Sequence, residues 1–144
     1  MSQSRPSHTF TIDEVNALIP RIEEHLDGFW GLRENAQAIL NELRGGRDVG
    51  PDSGADEIAH HQLRRSQAHF LLQQAKRELD GVMDLGCVLK DLDAGLVDFP
   101  HILEPNDEEV FLCWKYGEKK VRFWHEIDKG FSARKPILRR TTFK

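Results

Sequence analysis

A chain of 144 residues, 39% apolar and 31% charged, has the size of one domain and the composition of a globular protein with a large wetted surface. Its net charge of −4 excludes the broadly basic surface of a generic nucleic-acid binder. No apolar run approaches the roughly 20 residues of a membrane span, the opening MSQSRPSHTF lacks a secretory apolar stretch, and Cys87 and Cys113 form no CxxC pair. A reducing cytoplasm with both thiols free is the expected setting.

The first element announces itself at TFTIDEVNALIP. Thr11 and Glu14 have the spacing of a capping box, in which each side chain satisfies the other residue's orphan amide, and Phe10 with Val15 suits a hydrophobic staple. Apolar residues then recur in steps of three and four through Val15, Leu18, Ile22, Leu26, Phe29, Leu32, Ala36, Leu40 and Leu43. That spacing predicts a long helix over 11–44. Pro20 removes one backbone donor and crowds the carbonyl of Asn16, which suggests a kink or restart. Four glycines and a proline within 45–54 cannot sustain helix or strand, so a flexible loop follows. A second helix over 55–85 has a polar first half and an apolar stripe at Ala68, Leu71, Leu72, Ala75, Leu79, Val82 and Met83. The two helices form an antiparallel hairpin.

Gly86 marks a helix stop, after which the period shortens. CVLKDL, GLVDFPHIL, EEVFLCWKY and KVRFWHEI read as strands, and PNDE and YGEKK separate the later ones as hairpin turns. The expectation is an α+β domain: the helical hairpin, then a three- to four-stranded antiparallel β unit over 87–130. A basic tail over 131–144, with Arg134, Lys135, Arg139, Arg140 and Lys144, closes the chain.

The segments GCVLKDLDAGLVDFP, FLCWKYGE and FWHEIDKGFSARKPI, with the opening FTIDEVNALIP, resemble the prokaryotic domain-of-unknown-function 2203 family. The resemblance spans nearly the whole chain apart from the loop over 45–54. It implies a small bacterial or archaeal protein with a helical hairpin and a compact β unit, and it implies no particular activity, substrate or catalytic residue.

Chemistry-bearing residues concentrate in the β unit. In KDLDAGLVDFP, Gly95 and Asp93 suit a turn, whereas Lys90, Asp91 and Asp98 exceed what a turn requires. The calcium-loop pattern is not met there. Along FWHEID, alternation sends Phe123 and His125 to one face and Trp124 and Glu126 to the other. His125 therefore needs a partner from a neighbouring strand: Cys113 or Lys115 across the hairpin, or Asp91 or Asp98 from the turn. A ligand or divalent-metal site is drawn from Lys90, Asp91, Asp98, Glu118, His125, Glu126 and Arg134. Cys113 reads as a buried, inert thiol within a central or doubly covered strand. On the helices, Glu57 and His61 share a face near His60, and Glu24 and His25 lie at a height to oppose them. The paired Glu-x-x-His motifs of di-iron bundles are absent, so these read as solvated polar residues. The motifs GxSxG, GxxxxGK[ST] and HExxH are absent too.

A helix of about 30 residues spans ~45 Å, longer than one small sheet can cover. Leu32, Ile39, Leu40 and Leu43 at the far end of the first helix call for another cover, and a second hairpin supplies it in a homodimer. Trp114, Trp124, Phe99 and Phe131 are candidates for a surface presented to a protein partner. The expectation is a non-enzymatic, cytoplasmic, homodimeric interaction or scaffold domain. The alternative is a metal-ion or small-ligand binding protein using the Lys/Asp/His/Glu cluster of the β unit. Nucleic acid and membrane are not expected partners.

Overall fold

The computed structural model describes residues 8–46 and 49–138. Its elements run α1 (Ile12–Gly45), α2 (Ala55–Met83), β1 (Val88–Asp91), β2 (Leu96–Leu103), β3 (Glu108–Lys115), β4 (Phe123–Glu126), a 3-10 turn (Phe131–Ala133) and β5 (Lys135–Pro136). The fold is α+β: two long helices packed together, then a five-stranded antiparallel sheet in sequential order β1-β2-β3-β4-β5. Among the described residues, no helix is long and apolar enough to cross a membrane. The chain divides into two compact units, Met1–Glu23 with Val82–Lys144, and Glu24–Gly81.

Within the first unit, α1 begins as the capping box requires. Thr11 N–H donates to Glu14 Oε1 at 2.8 Å and Glu14 N–H to Thr11 Oγ1 at 3.1 Å, so two of the helix's orphan donors are satisfied. The helix runs through Pro20 without a restart, and that residue lies on its exposed side. Phe10, Val15, Ile19 and Ile22 are buried, as are Val97, Phe99, Val110, Leu112 and Trp114 from one face of β2 and β3. Phe10 lies edge-on to Phe99 with centroids 5.4 Å apart and donates its N–H to the Pro100 carbonyl at 2.7 Å. Asn16 Oδ1 accepts from Val121 N–H at 2.8 Å, tying the helix to the segment before β4.

The second unit is a two-helix hairpin. His25 opposite Glu78 and Glu42 opposite Arg64 mark its antiparallel register, and Leu26, Phe29, Ala36, Ala68 and Ala75 are its buried apolar residues. The helix stop at Gly86 has φ +98°, the left-handed conformation that glycine adopts without penalty.

The sheet exceeds the expected three or four strands by β5, whose residues Lys135 and Pro136 pair with Trp124 and Phe123. A two-residue strand containing proline carries no alternation to read. Residues 131–136, expected to begin a basic tail, are therefore structured, while Arg139, Arg140 and Lys144 lie outside the described residues.

Candidate metal centre

Strand register builds the site. Asp98 on β2 pairs with Cys113 on β3, which pairs in turn with Phe123 on β4, while His125 on β4 pairs with Phe111. Directly opposed residues share a face of the sheet, so Asp98, Cys113 and His125 gather on the face opposite Phe99, Leu112 and Trp114. All three are buried at 1%, 0% and 1% exposure. One donor atom from each lies within 4.8 Å of the other two.

The imidazole is fixed at both nitrogens. His125 Nδ1 is 2.8 Å from the Glu126 carbonyl oxygen, and Nε2 is 3.0 Å from Asp98 Oδ2. A carbonyl only accepts, so Nδ1 carries the proton and donates it. In the neutral ring Nε2 then presents a lone pair to a carboxylate oxygen. Two acceptors at that distance need a proton or a cation between them. Burial pushes the Asp98 carboxyl above its ordinary value, against the pull of His125, Cys113 and Lys90. When no cation is bound, a proton between Nε2 and Oδ2 satisfies both acceptors, and burial of the carboxyl favours keeping it there. The other oxygen, Asp98 Oδ1, is buried with no hydrogen-bond partner.

Burial also pushes the Cys113 thiol up to about 12, reinforced by the neighbouring Asp98 and opposed by Arg134. A thiol in that state is no nucleophile at neutral pH. Its sulfur remains a ligand for an ion that displaces the proton. The set of one carboxylate oxygen, one imidazole nitrogen and one sulfur suits a borderline divalent ion of the zinc class. Magnesium and calcium favour all-oxygen shells.

The remaining expected site residues divide between those that flank this cluster and those that do not. The Lys90 ammonium sits 5.2 Å from the Phe111 ring centroid, on the side of Asp98. Arg134 pairs with Glu118 through two hydrogen bonds of 3.2 and 3.0 Å and lies over Phe123 and Phe131, 3.9 and 4.4 Å from their centroids. Asp91 is a turn residue: its Oδ1 accepts from Ala94 N–H at 3.0 Å, because the β1–β2 turn leaves that amide unpaired by the ladder. Glu126 points away from His125, as strand alternation demands, and pairs with Lys135. Trp114 and Phe99, candidates for a presented surface, are instead core residues with no exposure, because both fall on the inward face of central strands. Trp124 is half-buried under Lys135, and Phe131 is 43% exposed.

Cys113 is the donor that residue-by-residue reading treats as inert. Its signal was positional: Asp98 and Cys113 stand equally far from the Pro105–Asn106 turn, so a regular hairpin must oppose them. The helical histidines build no comparable site. His25 Nδ1 pairs with Glu78 at 2.8 Å, and His60, His61 and Glu57 line a cavity of ≈ 610 Å³ with Glu42 and Asp56. Among the described residues, Asp98, Cys113 and His125 form the one cluster of such donors spaced for a single ion.

A family model described as an uncharacterized conserved protein, DUF2203, matches residues 8–137, as the sequence resemblance implied. No curated protein and no solved structure matches the chain.

Proposed function

The chain belongs to the DUF2203 family, and we propose that it is a binding domain whose sheet holds one divalent ion of the zinc class between Asp98, Cys113 and His125. The observation that carries this reading is the pair of facing acceptors, His125 Nε2 and Asp98 Oδ2, 3.0 Å apart and buried beside a thiol. Such an arrangement is satisfied by a proton or by a cation, and an ion would also engage the unpartnered Asp98 Oδ1 or the Cys113 sulfur. The carbonyl behind Nδ1 is the kind of outer partner that orients metal-binding histidines. Because the donors are buried and the thiol is protonated without an ion, the site supports retention of an ion rather than turnover of a substrate. Two free, buried cysteines suit a reducing compartment such as the cytoplasm.

Zinc added to chelator-treated, untagged protein tests the reading. One ion per chain by native mass spectrometry, with a melting temperature that rises with zinc, supports it. Binding should weaken by about 10–100-fold or more in Cys113→Ser. Absence of stoichiometric binding at micromolar zinc, with melting unchanged, overturns it.

A second reading, a homodimeric interaction domain, is favoured by a separate observation: Leu63 and Phe70 on α2 are 57% and 56% exposed.

A further inference from the structure

Asp56, Leu63, Phe70 and Arg77 stand seven residues apart along α2, so they form a single stripe along the helix. All four are exposed. The stripe is not part of the hairpin's own packing, which uses Ala68 and Ala75 of the same helix. The small residues Ala59 and Ser66 lie along it, also exposed. On either side of Phe70 run two grooves of ≈ 440 Å³ each, one lined by Ile39, Ser66, Gln67 and Leu71 among others, the second by Ser66, His69 and Gln73.

This stripe is self-complementary in one orientation. A two-fold axis between Ser66 and Gln67, perpendicular to α2, pairs each residue with the one equally distant on the other side. Leu63 of one copy then meets Phe70 of the second, and Asp56 meets Arg77. Both apolar residues are covered, both charges gain an opposite partner, and Ser66 at the centre permits close approach. A parallel pairing would instead stack Asp56 on Asp56 and Arg77 on Arg77.

We propose that the Asp56–Leu63–Phe70–Arg77 face of α2 is an interface between two copies of this chain, packed antiparallel about that axis. The interface is isologous, since the same patch serves on both sides. It moves the expected dimer contact from α1, where Leu32, Ile39, Leu40 and Leu43 are all half-buried, to α2, with Ile39 at the groove's edge. It is independent of the metal site.

Sedimentation equilibrium of the full chain over a micromolar concentration series tests it. The expected result is a monomer–dimer equilibrium whose dissociation constant rises at least about 10-fold in Phe70→Glu. Asp56→Lys alone and Arg77→Glu alone should each weaken association, and the double variant should restore it, a pattern that only cross-copy pairing of these two positions produces. Circular dichroism confirms that each variant keeps its helices, as exposed positions allow. A monomer throughout the series, a dimer indifferent to Phe70→Glu, or a double variant no better than the singles overturns the proposal.

Discussion

His125 and Asp98 meet at 3.0 Å across the full width of β3, from strands that are not neighbours in the sheet. The contact joins the first and last thirds of the β unit under complete burial. Removing either partner leaves a buried polar group uncompensated. In metal-free protein, Asp98→Ala and His125→Ala are each expected to lower stability by about 3 kcal/mol. The double variant should lose less than the sum by roughly 1–3 kcal/mol. Urea unfolding of the four proteins measures the coupling, and strict additivity would show that the two side chains act independently.

The N-terminal capping box yields a smaller, local effect. Thr11→Ala removes the acceptor for Glu14 N–H and should cost about 1 kcal/mol, or roughly 3 °C in melting temperature for a chain of this size. Adding Glu14→Ala should cost little more, because the two hydrogen bonds are halves of one device. Thermal unfolding of the single and double variants decides between reciprocal and independent caps.

These two sites differ in how far they could be read from residues alone. The capping box spans four positions, and its partners are set by helix geometry, so the spacing predicts the contact. The alternation of Phe123, Trp124, His125 and Glu126 across β4 is local in the same sense. The meeting of Asp98 with His125 depends on the registers of two successive hairpins, and an error of one residue in either turn sends a side chain to the wrong face. The same uncertainty hides Trp114 and Phe99 in the core: large aromatics on a strand look alike in sequence whether they anchor a partner or a helix. Leu63 stands alone in a polar stretch of α2 and Phe70 adjoins the apolar Leu71 and Leu72, so the two offered no separate stripe until seven-residue spacing was combined with observed exposure.

Cys87 provides a prediction in alkali. Its thiol is buried, donates to the Val82 carbonyl at 3.3 Å, and is pushed by burial from 9.0 up to about 11. Iodoacetamide should therefore label it about 100-fold more slowly in the native chain than an ordinary thiol, on thiolate fraction alone. A folded value above the unfolded one means the unfolded chain releases the proton first as pH rises. The thiol's contribution to stability is then complete below 9 and lost as pH climbs towards 11. Chemical denaturation between those limits should show a steeper alkaline loss in the wild-type chain than in Cys87→Ala, and equal slopes would refute the linkage.

Gly81 and His25 offer a test by sign. A Cβ built at Gly81 would lie 2.5 Å from His25 Cε1 and 2.8 Å from Nε2, and the ring cannot retreat freely because Nδ1 is held by Glu78 at 2.8 Å. Gly81→Ala in the wild-type chain therefore forces the imidazole off its partner, a loss of about 1 kcal/mol or more through overpacking and the broken pair. Taken alone, exchanging glycine for alanine inside a helix is favourable by roughly 1 kcal/mol. In a His25→Ala background the obstruction is gone and only that gain remains. The same substitution is thus expected to destabilise one background and stabilise the other, a reversal that denaturant midpoints read directly. Identical effects in both backgrounds would show that the imidazole does not set the requirement for glycine at this position.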